Sequence, residues 1–148
     1  MFGFGKGKID IAIQKFNYAP GDTISGNVAL TLKKLVKARE MSISLIGEQR
    51  ITTTQETVSR GILSYNKDKS TTTQRVRIYD FKLPLDSERE YSQGREYPFE
   101  IKIPADILNI RPQKTGAVKF SPVKWYLLSK LDIPHGLDIK KKVGLTIG

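Results

Sequence analysis

The chain has 148 residues and a formal net charge of +10, from 25 Lys and Arg against 15 Asp and Glu. That length makes one domain, able to bury roughly 70% of its unfolded surface, and 39% hydrophobic residues with 6 Phe, 6 Tyr and one Trp exclude a disordered chain. The absence of Cys excludes disulfides, thiolate metal sites and Cys nucleophiles, and the single His, His135, is the one candidate for imidazole chemistry.

The excess charge is uneven. Residues 1–50 carry 8 basic and 4 acidic side chains, residues 51–103 carry 9 and 8, and residues 104–148 carry 8 and 3. The positive field therefore belongs to the two ends of the sequence, where it could attract an acidic protein, an anionic membrane or nucleic acid, or simply keep a Lys-rich surface soluble. Residues 1–8 hold no apolar run of signal-peptide length and read as a flexible lead. No stretch approaches the roughly 20 apolar residues of a spanning helix, so the expected location is cytoplasmic.

In chain order, the dominant period is two, the signature of strands with one buried face. Ile9, Ile11 and Ile13 alternate with polar or small residues. Ile24, Gly26, Val28, Leu30 and Leu32 share a second face, and Met41, Ile43 and Leu45 a third. Tyr97, Phe99, Ile101 and Ile103 follow, and Val143, Leu145 and Ile147 close the series. Two apolar runs change phase. Val76 and Ile78 have one parity while Tyr79, Phe81, Leu83 and Leu85 have the other. Val118 and Phe120 likewise oppose Val123, Trp125 and Leu127 across Pro122. One extra residue, a β-bulge, at each place keeps both halves buried.

Ala19-Pro20-Gly21-Asp22 has the residues of a type II turn, with Gly21 expected at positive φ, and reads as a hairpin between the first two strands. Polar linkers are expected at 61–73 and 86–95. Thr52–Thr54 and Thr71–Thr73 are read as strand residues from threonine's β preference, and Pro104 to Pro112 as a single helical turn with Pro104 in its first position. The sum is an all-β, antiparallel, immunoglobulin-like sandwich of about eight strands.

Tyr18-Ala19-Pro20-Gly21-Asp22-Thr23-Ile24-Ser25-Gly26-Asn27-Val28 resembles the opening of the arrestin-like superfamily: an aromatic, Pro-Gly-acid, then a small-Gly pair before an apolar strand. Ile43-Ser44-Leu45-Ile46-Gly47-Glu48 is similar to that family's third strand. Tyr97-Pro98-Phe99-Glu100-Ile101-Lys102-Ile103-Pro104 resembles its aromatic-Pro-Phe strand, and Val123-Lys124-Trp125-Tyr126-Leu127 the strand after it. The resemblance covers Ile9 to Ile147. Sporulation-control and archaeal arrestin-like proteins are the nearest in style, with the retromer subunit of the same fold further away. It implies a non-enzymatic adaptor or scaffold without cofactor or metal, acting in regulation or membrane-associated trafficking. Arrestins usually pair two such sandwiches, so the length matches one of them and a homodimer is an expected substitute for the pair. The buried Asp/Arg core and C-terminal tail of animal arrestins have no counterpart here, so phosphoreceptor sensing is not carried over. Tyr18, Pro20, Gly21, Asp22, Gly26, Gly47, Pro98, Phe99, Pro104 and Trp125 are the residues of the match. Each is read as structural, with Phe99 and Trp125 as core anchors and Gly26 making room for one of them.

Other chemistry is thinly supported. Gly3 to Lys8 lack the strand–loop–helix setting and the Ser or Thr of a phosphate-binding loop. His135 lies in a Pro/Gly turn. Asp86, Glu88 and Glu90 could hold a hard cation, yet Lys82 and Arg89 beside them indicate a solvated mixed surface. Two basic groups, Lys33, Lys34, Lys37 and Arg39, and Lys140, Lys141 and Lys142, are the candidate sites for an acidic partner or an anionic membrane. Strand alternation sends Lys141 to the face opposite its two neighbours. The alternative is a basic sheet protein that binds nucleic acid or another anionic surface. It needs exposed aromatics for base stacking, for which Tyr65, Tyr91 and Tyr126 are the candidates.

Overall fold

The computed structural model describes residues 7–61, 65–109 and 118–148, without the side chains of 56–60 and 65–68. Its strands are β1 (Gly7–Ile13), β2 (Asn17–Tyr18), β3 (Thr23–Leu32), β4 (Val36–Ala38), β5 (Glu40–Arg60), β6 (Tyr65–Asp86), β7 (Arg89–Tyr91), β8 (Gly94–Lys102), β9 (Val118–Phe120), β10 (Lys124–Asp132) and β11 (Ile139–Ile147), with a 3-10 turn at Ile107–Asn109. Seven are long. The other four, β2, β4, β7 and β9, have two or three residues each, so the expected eight lies between the seven long strands and the total of eleven.

Two layers form the sandwich. One sheet runs β1-β3-β8; the other runs β2-β11-β10-β5-β6, with β9 also on β5, and β4 pairs β7 separately. Ladders are antiparallel except the two-residue pairing of β2 with β11, which is parallel. The two-residue period does its expected work. Ile9, Val28, Leu30, Phe99 and Ile101 face Met41, Ile43, Leu45, Trp125, Leu127 and Leu131 in one core.

Both phase changes correspond to a surplus residue. In the β5–β6 ladder Gly47 opposes Tyr79 but Glu48 opposes Arg77, so Ile78 is the extra residue and the parity flips there. The second case differs from a bulge within one strand. Glu48 opposes Lys124 on β10 and Ile51 opposes Phe120 on β9, so three residues, Ser121, Pro122 and Val123, face only Gln49 and Arg50. The proline, lacking an N–H, ends the ladder instead of merely kinking it.

Several expectations need correction. Residues 65–73 are strand, because the Thr-rich halves pair with each other: Thr52 opposes Thr73, and Thr54 opposes Thr71. The β propensity of the threonines outweighs the polar composition that suggested a linker. The segment 86–95 contains β7 and the start of β8. Gly7 and Lys8 belong to β1, opposite Leu32 and Thr31; residues 1–6 of the expected lead lie outside the described residues. The turn at 19–22 joins β2 to β3, since the chain crosses to the other sheet between β1 and β3. The helical turn is present, but Pro104 precedes it: its carbonyl accepts the Ile107 N–H at 3.2 Å.

Candidate interaction surfaces

The residues of the opening motif build the turn. Gly21 has φ +91°, the left-handed region glycine tolerates best. The Asp22 N–H donates to the Ala19 carbonyl at 3.0 Å, and the Ala19 N–H donates to the Asp22 carboxylate at 2.8 Å. That hydrogen bond from Ala19 holds the Asp22 carboxyl below its ordinary pKa, with Lys15 adding to it against the opposing desolvation. Pro20 supplies the turn's fixed φ. Tyr18 is buried beneath Lys15, whose ammonium lies 5.0 Å from the ring centre. Pro98 sits on β8, which among the described residues pairs only with β3 and so tolerates a residue without an N–H.

The two glycines divide differently from expectation. Gly26 opposes Phe99 in the ladder, but a Cβ there would strike the Ala12 carbonyl and Ile13 of β1. It is Gly47 that makes room for an aromatic: a Cβ would come within 2.5 Å of the Trp125 ring. Trp125 and Phe99 are each 5% exposed, and Trp125 meets Tyr79 edge-on at 6.1 Å.

The two basic groups of the sequence share one end of the sandwich, apart from Lys142, which lies further along β11. Lys33 and Lys34 line a depression of ≈ 560 Å³ with Leu35, Ser92, Gln93 and Gly94. Lys37 opposes Glu90 across the β4–β7 ladder. Arg39 pairs with Asp132 at 3.3 Å. On β11, Lys140 opposes Lys130 and Lys141 opposes the buried Ser129. Lys141 therefore has inward parity, yet it is exposed at the end of the sheet. Lys142 lies over the Tyr126 ring at 4.2 Å.

Lys142 also belongs to a recess of ≈ 300 Å³ with Glu48, Gln49, Arg50, Arg75, Ser121, Pro122 and Lys124. Its origin is local. The bulge at Gly47/Glu48 and the break at 121–123 fall at the same height on β5, so the sheet opens there on both sides. The Ser121 wall is tied down. Gln49 donates to its carbonyl at 2.6 Å, and the Arg50 N–H donates to its hydroxyl at 2.9 Å. Arg50, Arg75, Lys124 and Lys142 form no ion pair among the described residues. Four cations thus surround one carboxylate, Glu48. Beneath them the Tyr126 phenol is pushed up by burial and by Glu48, although Arg77 counters part of it. Only Lys142 was singled out from sequence. Arg50, Arg75 and Lys124 are scattered along the chain, and no local sequence signal groups them. A larger depression of ≈ 670 Å³ on the three-stranded sheet has Glu100 as its one charged wall residue.

The acidic trio is not assembled as a cation site. Asp86 accepts from the Tyr97 hydroxyl at 2.9 Å and the Ser87 N–H at 2.9 Å, with Arg89 at 3.4 Å and Arg95 at 3.9 Å. Desolvation raises its pKa, but those donors and guanidiniums together prevail and hold the carboxyl below its ordinary value. Tyr91, donating to the Ser87 carbonyl at 2.6 Å, is pushed up to about 12 by burial and by Asp86. No group of three His, Cys, Asp or Glu among the described residues could hold a metal. The stacking aromatics are corrected as well. Tyr91 and Tyr126 are 1% and 2% exposed: Tyr91 belongs to the core, and Tyr126, on the parity opposite Trp125 and Leu127, lies under Lys142; the side chain of Tyr65 lies outside the described residues. No helix among the described residues is long and apolar enough to cross a membrane.

Two sheets with this strand order, opened by the Pro20-Gly21-Asp22 turn and closed over Trp125, define an arrestin-like β-sandwich. The chain belongs to the family described as arrestin (or S-antigen), N-terminal domain, whose sequence profile matches residues 7–147. Among solved structures it is similar in fold to the sporulation control protein Spo0M from Bacillus subtilis, at TM-score 0.50 and 21% identity, over 97% of this chain and 49% of that one. The chain thus spans about half the length of that protein. No curated protein matches it. As a class, arrestin-like proteins commonly serve as protein-interaction adaptors and are generally non-enzymatic.

Proposed function

We propose that this chain is a non-enzymatic cytoplasmic adaptor, acting in regulation or membrane-associated trafficking, and that its six-stranded sheet binds an acidic segment of a partner protein. The observation that carries this reading is the recess at Glu48, where Arg50, Arg75, Lys124 and Lys142 meet without ion-pair partners among the described residues. Unpaired cations around a rigid-walled concavity steer and orient an anionic chain. A protruding carboxylate fits a recess better than a planar surface does. The nucleic-acid reading loses two of its three stacking candidates with the burial of Tyr91 and Tyr126.

The experiment is fluorescence anisotropy with a Glu-rich peptide at low and moderate salt. Binding that weakens with salt is expected. The double variant Arg75→Glu/Lys124→Glu is expected to lose about tenfold in affinity, since several solvent-exposed pairs are removed and replaced by repulsion. Equal peptide affinity in the variant and the wild type would refute the assignment.

A further inference from the structure

We infer that the end of the sandwich carrying the 33–35 and 133–138 loops is a docking surface for an anionic lipid bilayer. Strand order and register bring these loops to one end. There β3 finishes at Leu32, β5 begins at Glu40, β6 finishes at Asp86, β10 finishes at Asp132 and β11 begins at Ile139. The loops are tied at their bases. The Arg39 N–H donates to the Asp132 carbonyl at 2.8 Å, and its guanidinium pairs with the Asp132 carboxylate. The Leu32 N–H donates to the Gln93 carbonyl.

Two large apolar side chains stand at the loop tips. Leu137 is 87% exposed and Leu35 is 59% exposed. Leu137 is presented by a fixed turn. His135 holds φ 59°, and the Ile133 N–H donates across the base to the Asp138 carboxylate at 2.8 Å. Around the leucines, residues 33–39, 87–95 and 132–141 carry eight basic and four acidic side chains. Lys33, Lys34, Lys37, Lys140 and Lys141 are all exposed.

A single exposed leucine needs no explanation. Exposed leucines in loops that also carry exposed lysines match the chemistry of an interface, where apolar side chains enter the acyl boundary while ammonium groups stay among anionic headgroups. A bilayer takes up the exposed leucines of this end, whereas a protein segment fits the recess between Glu48 and Ser121 on the sheet face, so the two surfaces engage different partners.

Co-sedimentation with phosphatidylcholine vesicles containing about 30 mol % phosphatidylserine tests the assignment. Wild-type protein is expected to bind these vesicles, to bind less as salt rises, and to ignore phosphatidylcholine alone. Leu35→Ser/Leu137→Ser is expected to lose about tenfold or more in partitioning, from apolar area no longer buried in lipid. Lys33→Gln/Lys34→Gln is expected to lose about tenfold or more, at about fivefold per lysine. Arg75→Glu/Lys124→Glu is expected to bind vesicles through the leucine loops much as wild type does. Thermal melting checks that each variant is folded. Absence of wild-type binding at low salt would overturn the inference. So would leucine variants that are folded and bind as tightly as wild type, or leucine variants that lose a captured protein while wild type ignores vesicles.

Discussion

Gly47→Ala puts the packing of the sheet under a direct test. The new methyl would lie 2.5 Å from Trp125 Cζ3, 2.8 Å from Cη2 and 2.9 Å from Cε3. Carbon atoms in contact prefer about 3.5–4.0 Å, so the ring must withdraw by about 1 Å. It has little room to do so. Trp125 is 5% exposed, its backbone is fixed opposite Gly47, and Tyr79 packs edge-on against it at 6.1 Å. Overpacking of this kind costs about 1–3 kcal/mol, which for a domain of this size lowers the melting temperature by about 4–8 °C at the middle of that range. Urea unfolding followed by far-UV circular dichroism gives the free energy without relying on the tryptophan. A double-mutant cycle with Trp125→Leu isolates the clash. Trp125→Leu is destabilising alone, but adding Gly47→Ala to it is expected to cost under about 0.5 kcal/mol, the surface-substitution range. Gly47→Ala within that same range in the wild-type background would refute the close approach.

Other outcomes follow from the turn and the acidic network. Gly21→Ala meets no atom within 4 Å, so its expected loss of about 1–2 kcal/mol comes from φ alone, and Gly21→Asn is expected to lose less, in the same urea assay. The Asp86 carboxyl is held below its ordinary pKa. The unfolded chain therefore binds the proton first, and the stabilisation is present above about pH 4 and lost as pH falls through the lower folded value. Asp86→Asn is expected to flatten the fall in melting temperature between about pH 5 and pH 3; an unchanged slope would remove Asp86 as its cause.

The fold was legible where burial imposes a period. A one-residue slip exposes a whole face, which is why the parity flip between Ile78 and Tyr79 located the surplus residue in β6. The reading failed where composition and pairing disagree. The polar residues of 65–73 become strand because the facing threonines of β5 supply partners, and a partner strand is invisible in a local window. The glycine–aromatic match failed for a related reason. Gly26 and Gly47 both have inward parity, but which of them meets Trp125 depends on the β5–β10 register. The recess was beyond local reading altogether, since Arg50, Arg75 and Lys124 converge only when three strands are aligned.

The position of β5 bears on how the chain acquires its fold. Within the second sheet β5 is the hub, flanked by β6 on one side and by β10 and β9 on the other. Its pairing with β6 is local and can form early, but its pairing with β10 joins residues about eighty positions apart and pays a larger loop-closure entropy. A nascent chain that has reached Asp86 holds the hairpin and the β1 and β3 strands that face Met41, Ile43 and Leu45, yet has no strand to pair with the other edge of Glu40–Glu48. That edge stays unpaired until residues 124–132 have been made, so the second sheet is completed late in synthesis and leaves an open strand edge in the meantime.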